Sequence, residues 1–208
     1  MWSWNVLGVA LWVGAIVYLV FIVQNIRRRQ LKMIIQRQHK FEWGSSLISL
    51  LEVASFCLLA GWLLAVSLFD DPNLTDTSRI TSSVTYKPLV LQPSASQSYY
   101  VQVKSTKNRD LSQQYIFYLK GKKYTVPSYL ATVSYEKDPI NVTASALPFS
   151  RKELKKEDSR YQQAYVAIYT AKYKNTAVNG LGLHAGREAK RFYLIRVPDS
   201  SFINKENK

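Results

Sequence analysis

The chain has 208 residues, with 28 lysines and arginines against 14 aspartates and glutamates, which gives a formal net charge of +14. A single cysteine and eight glycines exclude a disulfide scaffold and a collagen-like or low-complexity chain. The basic balance is typical of nucleic-acid binders, but the charges are distributed very unevenly along the chain.

The N-terminal segment 1–26 is predicted to be a transmembrane helix. It contains no charged residue, and a bilayer core of about 30 Å requires roughly 20 helical residues. A cleaved signal peptide carries its basic residues before the apolar stretch, whereas here they follow it, at Arg27, Arg28 and Arg29. We therefore expect the segment to be retained as a membrane anchor.

The segment 27–43 is predicted to be a basic cytoplasmic connection. Basic loops stay in the cytoplasm, whereas the flank at 70–76 is acidic, so both the N-terminus and the C-terminal part are expected outside, in a multi-pass cell-membrane protein. Basic residues near the bilayer also favour contact with the anionic inner leaflet. Two interpretations of these basic residues are open: they act only as a topology signal, or they form a docking site for a cytoplasmic partner. The residues concerned are Arg27, Arg28, Arg29, Lys32, Arg37 and Lys40.

The segment 44–69 is predicted to be a second transmembrane helix, which forms a hairpin with the first. It carries one charged residue, Glu52. Counted from the predicted inner ends of the two spans, Tyr18 lies at a similar depth and Gln24 just below it, so either side chain is a candidate hydrogen-bond partner for Glu52. Snorkelling to the interface, or a proton or partner role, are the alternatives, since an intramembrane acid is costly.

Small residues at four-residue spacing occur in both predicted spans, as Ala10 with Gly14 and Gly61 with Ala65. Such pairs permit close helix approach, either within the hairpin or to another subunit.

The remainder of the chain is predicted to be a tether, 70–83, followed by an extracellular, mainly-β domain with at least one helix, 84–208. Short segments rich in tyrosine, valine, isoleucine and threonine alternate with turn residues. The predicted strands are 86–91, 99–104, 114–120, 123–126, 130–136, 140–144, 165–173 and 191–197. The pattern 120–123 predicts a two-residue hairpin turn that needs a glycine, and Ser150 with Glu153 is a capping box at a helix start.

Residues with catalytic or metal-binding chemistry are sparse in this domain. Only one histidine, His184, lies in it, so no metal site and no cofactor are expected. Ser134 and Lys137 match a serine-lysine pattern, but its companion elements are absent. The glycine-rich segment 179–187 is predicted to be a loop before the last strand, with anion binding through its backbone as the alternative. No catalytic residue is assigned, and the chain is expected not to be an enzyme.

Charge is the remaining pointer to a ligand. Residues 70–208 hold 22 Lys and Arg against 12 Asp and Glu. Outside a cell the abundant polyanions are wall polymers and lipid headgroups, so nucleic acid is not the expected partner. The candidate anion contacts are Lys120, Lys122, Lys123, Lys152, Lys155, Lys156, Arg187, Lys190 and Arg191.

Four stretches in the first 70 residues carry a resemblance: the start at 4–8, the junction 24–27, the connection 33–43 and the pair Glu52-Val53. Together they resemble an uncharacterised family of two-span membrane proteins of lactic-acid bacteria. The resemblance implies a Gram-positive setting but no activity and no functional residue.

Three hypotheses follow for the function. The first is a non-enzymatic envelope protein that presents a basic β-rich domain to anionic wall polymer or to a neighbouring membrane protein. The second is a regulatory or assembly subunit of a membrane complex that acts through the hairpin. The third is an envelope enzyme.

Overall fold

The computed structural model describes residues 3–32, 35, 43–71, 73–94, 97–105 and 113–206. The chain divides into two compact units. The hairpin unit comprises residues 1–79 and 173–187, and the β unit comprises residues 80–172 and 188–208.

The described elements follow the predicted order of two long helices and then short strands. The helices are α1 (Asn5–Lys32), α2 (Trp43–Leu68), α3 (Val142–Ser145), α4 (Arg151–Tyr161) and α5 (Ala177–Leu181). The strands are β1 (Ile80–Pro88), β2 (Val101–Lys104), β3 (Gln114–Leu119), β4 (Lys122–Pro127), β5 (Ala131–Ser134), β6 (Tyr165–Tyr173), β7 (Glu188–Arg196) and β8 (Ile203–Glu206).

Two helices of the hairpin unit are long and apolar enough to cross a membrane. The most apolar 18-residue stretch has a mean hydropathy of 2.7 within Asn5–Lys32 and of 2.1 within Ser46–Leu68. The buried residues of α1 are Gly8, Ala15 and Ile22, a seven-residue spacing that places them on one helix face. Most other apolar side chains on these helices are exposed, and Leu58 is 77% accessible. The helices therefore do not form the buried core of the described fold.

The β unit consists of two four-stranded sheets. One has the strand order β1-β6-β7-β5 and the other β4-β3-β2-β8. The pairs β5 with β7 and β2 with β8 are parallel, whereas β2 with β3, β3 with β4 and β6 with β7 are antiparallel.

The core of the β unit lies between the two sheets. Val166 and Ile195 from the first sheet pack with Val101 and Phe117 from the second. On the opposite face of β6, the alternate residues from Tyr165 to Tyr173 are also buried. The ring of Tyr169 contacts Phe149, which immediately precedes the cap of α4, and the first sheet is therefore covered on both faces.

Several local predictions for the β unit are confirmed. The Ser150 hydroxyl caps α4 by accepting a hydrogen bond from the amide of Glu153. Leu119 pairs with Lys122, so Lys120 and Gly121 form a two-residue turn, and both have positive φ, at 48° and 75°. That geometry is the reason for glycine at this position.

Other predictions about the elements are wrong. The tether 70–83 is too long, because β1 begins at Ile80, and residues 70–79 belong to the hairpin unit. The predicted strand 140–144 contains helix α3, since the Asn141 side chain accepts a hydrogen bond from the Ala144 amide and starts a helical turn. The predicted loop 179–187 includes part of α5, and β8 follows β7 as the last strand.

A buried ion pair joins α4 to the first sheet. Arg196 is 0% exposed, and its Nε and Nη2 each donate to the Asp158 carboxylate at 3.0 Å. Its Nη1 donates to the Ser134 hydroxyl at 2.9 Å and to the Glu136 carbonyl at 3.1 Å. The Tyr165 hydroxyl lies 2.9 Å from Asp158 Oδ1, and its pKa is raised by burial and by that carboxylate.

Removing Asp158 should destabilise the β unit strongly, because it leaves the Arg196 guanidinium buried and uncompensated. We expect Asp158→Ala to lower the free energy of unfolding by about 3–5 kcal/mol. The control Glu188→Ala removes the carboxylate of an exposed ion pair with Arg191 and should cost about 0–1 kcal/mol. Amide hydrogen exchange of β6 and β7 in the full chain measures both, and equal losses would contradict the structural role of the buried pair.

Candidate functional site

Glu52 lies in a polar cluster inside the hairpin. Its Oε1 accepts hydrogen bonds from Asn25 Nδ2 at 2.7 Å and from Arg29 Nη2 at 2.6 Å. The predicted partners are therefore wrong: Gln24 is exposed, and Tyr18 bonds elsewhere. The acid is held in an ion pair, which stabilises a charge in apolar surroundings.

Tyr18 contributes a further polar contact between α1 and α2. Its hydroxyl lies 2.8 Å from the Ser55 hydroxyl, which donates to the Glu52 carbonyl at 2.8 Å. Because Tyr18 meets Ser55 while Arg29 meets Glu52, the two helices run antiparallel. The polar contacts thus fix their register.

One polar atom of each side chain in the ion pair has no hydrogen-bond partner among the described residues. Glu52 Oε2 and Arg29 Nη1 are buried and have no hydrogen-bond partner in the described part of the chain. A buried unpaired donor or acceptor costs free energy, so the bonding capacity of this ion pair is only partly used by the described residues.

Of the residues predicted to contact the inner leaflet, some lie in α1 and the others lie outside the described residues. Arg27, Arg28, Arg29 and Lys32 belong to α1, which continues past the predicted end of the first span. Arg27, Arg28 and Lys32 are exposed. Arg37 and Lys40 lie outside the described residues.

A second cluster occupies the open end of the hairpin, where α1 begins and α2 ends. There the segment 173–187, which connects β6 to β7 and contains α5, packs on both long helices. A Cβ built on Gly180 would lie 2.2 Å from the carbonyl oxygen of Trp4, and one built on Gly8 would lie 2.5 Å from that of Gly180. Only glycine permits this approach of the two backbones.

Two asparagines supply the polar part of this contact. Asn5 binds the backbone of Ala185 reciprocally: its Nδ2 donates to the carbonyl and its Oδ1 accepts from the amide, both at 3.0 Å. Asn175 Oδ1 accepts from the amide of Trp4 at 2.9 Å. Trp4 and Asn5, at the start of α1, are thereby tied to the segment 173–187.

Arg79 links the same segment to the end of α2. Its guanidinium pairs with the Asp70 carboxylate, and its Nε donates to Asn179 Oδ1 at 3.0 Å. The hydrogen bond from Arg79 holds the pKa of Asp70 below its usual value of 3.8, so the carboxylate is charged at neutral pH. Asn179 is fully buried and also donates to the carbonyls of Arg79 and Lys174, each at 2.9 Å.

Aromatic stacking completes the open end. The rings of Tyr173 and His184 are stacked with centroids 5.0 Å apart, and the Tyr173 hydroxyl donates to the Asp70 carbonyl at 3.2 Å. Gly182 lies close to the Val66 carbonyl, since a Cβ at that position would be 2.7 Å away.

Sequence reasoning missed this open-end cluster. The contacts join residues that are up to 180 positions apart, and no local period reports such pairing. The signals present were an asparagine at the start of an apolar run, Asn5, and three glycines near residue 180. Sequence reasoning assigned these three glycines to a loop and selected Gly14 and Gly61 for close helix approach, but a Cβ built on either of those two would meet nothing within 4 Å.

The basic residues of the β unit that are candidates for anion binding lie on different layers of that unit. Lys120, Lys122 and Lys123 are exposed at the β3–β4 turn of the second sheet. The three lysines of α4 are exposed on the cover of the first sheet, and these are Lys152, Lys155 and Lys156. The two sets are therefore two separate cationic surfaces.

The third set of candidate anion-binding residues is divided between the two units. Arg187 belongs to the hairpin unit, whereas Lys190 and Arg191 are in β7. All three are exposed, but Arg191 is paired with Glu188.

Among the described residues, no three His, Cys, Asp or Glu residues are grouped to hold a metal ion. Ser134 is buried, and its hydroxyl accepts a hydrogen bond from Arg196, which gives it a structural role.

The glycine contact at the open end can be tested by adding one methyl group. Gly180→Ala forces a Cβ into the Trp4 backbone, and overpacking of this kind costs about 1–3 kcal/mol. We expect amide exchange of residues 177–185 to accelerate about tenfold or more. Gly61→Ala is the matched control, since its Cβ meets open space, and it should leave exchange unchanged. Equal behaviour of the two variants would contradict the close contact.

Comparison with known proteins places the chain in a family without supplying an activity. The model of an uncharacterised family matches residues 3–204. No curated protein and no solved structure matches the chain. Because the match runs through both long helices and the β unit, the chain belongs to this uncharacterised family.

Proposed function

We propose that the chain is a non-enzymatic envelope protein of the cell membrane, in a Gram-positive setting. The helical hairpin anchors it with both chain ends outside, and the basic β unit meets anionic wall polymer or a neighbouring membrane protein. The observation that carries the proposal is the exposed apolar surface of α1 and α2.

This surface supports a membrane location because water is a poor solvent for it. Large apolar side chains are exposed along both helices, among them Phe21, Leu50 and Leu58. Contiguous apolar surface of this extent marks a partner or a bilayer. The helix lengths of 28 and 26 residues also suit a hydrocarbon core of about 30 Å.

The charge distribution supports the orientation. Exposed Arg27, Arg28 and Lys32 lie where α1 ends, whereas the opposite end of the hairpin carries the paired Asp70 and Arg79. An excess of basic residues marks the cytoplasmic side. The β unit follows α2 and therefore falls on the other side.

The exposed lysines support anion binding by the β unit. Lys120, Lys122 and Lys123 present three ammonium groups at one turn. A phosphate-rich polymer neutralises such a cluster and releases its own counterions, as in other polyanion contacts.

A second candidate function is that of a regulatory or assembly subunit. It is favoured by Glu52 Oε2 and Arg29 Nη1 inside the hairpin, two buried atoms for which the described residues offer no hydrogen-bond partner. In that function the hairpin is the working element, and the basic surface of the β unit has no polymer ligand.

Salt-dependent polymer binding tests the first proposal. The full chain in lipid nanodiscs is passed over immobilised poly(glycerol phosphate) across a salt series. We expect log affinity to fall linearly with log salt concentration, and the triple Lys→Gln variant at positions 120, 122 and 123 to weaken binding and flatten the slope.

The matched control is the triple Lys→Arg variant at the same positions, which keeps the charge and should retain the slope. Absent binding, or binding that ignores both salt and the glutamine substitutions, would overturn the polymer proposal and favour the subunit alternative.

A further inference from the structure

A groove of about 520 Å³ opens at the open end of the hairpin, between α2 and α5. Its walls are mostly apolar, and the Asp70–Arg79 ion pair lies at its rim. Trp62, Ala65 and Val66 of α2 line it together with Phe69, which directly follows α2, at the i, i+3, i+4, i+7 spacing of a helix stripe. Helix α5 contributes Val178 and Leu181.

The depth of the groove along α2 is fixed by backbone contacts. Gly182 meets the Val66 carbonyl, which lies about 3 Å before the end of α2 at Leu68. Trp62 lies about 9 Å before that end. Since Ser46–Leu68 is the candidate span, the groove occupies the outermost part of that span, and α5 lies beside it at the same level.

The side chains of the groove face outward without a covering element in the described structure. Val178 is 57% exposed, and Trp62 and Phe69 are also exposed. The Gly180 contact with Trp4 and the buried Asn179 hold α5 in place, so Val178 stays on the outward face of α5. The apolar surface of α5 is therefore continuous with that of α2.

The gradient from apolar wall to ionic rim matches an amphiphile that lies parallel to α2. The Arg79 guanidinium and the Asp70 carboxylate neutralise each other, so the rim carries no net charge. This rim is suited to the polar headgroup region of a bilayer, whereas Trp62, Ala65 and Val66 are suited to a hydrocarbon chain.

We propose that the groove binds the acyl chain of an outer-leaflet phospholipid and that α5 is a third lipid-contacting element, at the membrane interface. The proposal rests on the membrane location proposed above. It makes the β6–β7 connection part of the membrane anchor rather than a surface loop.

Lipid exposure of Val178 is the first test. Single nitroxide labels are placed in a Cys57→Ser background of the full chain in phosphatidylcholine–phosphatidylglycerol vesicles, through Val178→Cys, Leu58→Cys and Val142→Cys. Leu58 is the lipid reference in mid-span, and Val142, 90% exposed in the short helix α3, is the water reference. Collision rates with oxygen and with a water-soluble nickel complex are measured by electron paramagnetic resonance.

We expect the oxygen-to-nickel ratio at position 178 to exceed that at position 142 several-fold and to approach that at position 58. A water-like ratio at 178 overturns the inference. Shielding from both reagents also overturns it, because a protein segment then covers the groove. If position 58 itself is water-like, the proposed membrane location fails as well, so the two failures are distinguishable.

Filling the groove is the second test. Ala65→Trp places a large side chain on the α2 wall, and we expect oxygen collisions at position 178 to fall at least twofold as the acyl chain is displaced. The control Ala54→Trp adds the same side chain at an exposed site away from the groove lining and should have no effect. Equal effects of both substitutions, or none from Ala65→Trp, would contradict an acyl chain in the groove.

Discussion

The close packing of α5 against the start of α1 is the constraint on which the hairpin unit depends. At Gly8 and Gly180 the two backbones approach so closely that neither position admits a Cβ atom. Asn5 then pairs with the Ala185 backbone as a neighbouring strand would, and Asn179 receives the Arg79 guanidinium. Glycine provides the space and asparagine provides the hydrogen bonds, so a segment that follows β6 becomes part of the unit that contains the long helices.

The two ends of the hairpin handle charge in different ways. At the open end, Asp70 and Arg79 neutralise each other, and further donors and acceptors around them are supplied by Asn179. Within the hairpin, Glu52 and Arg29 pair through one oxygen and one nitrogen, and the other atom of each is left without a partner in the described residues. The first arrangement is suited to stability. The second retains polar atoms with unused bonding capacity.

Local patterns predicted what depends on local physics. The apolar runs predict the two long helices, the capping box predicts the start of α4, and Gly121 predicts the β3–β4 turn, as the structure has them. The predicted partner of Glu52 is wrong because depth is counted from residue 23 as the inner end of the first span, whereas α1 continues to Lys32 and brings Asn25 and Arg29 opposite Glu52. The role of residues 173–187 depends on contacts across about 170 residues, which no window of the sequence contains.

The most direct test of the proposed membrane topology is to measure on which side of the membrane the β unit lies. In a Cys57→Ser background, Ser159→Cys places a thiol on the exposed face of α4, and Lys32→Cys places one at the end of α1. With a membrane-impermeant maleimide on intact cells, we expect labelling of Ser159→Cys at once and of Lys32→Cys only after permeabilisation. The reverse pattern, or labelling of both variants in intact cells, would contradict it.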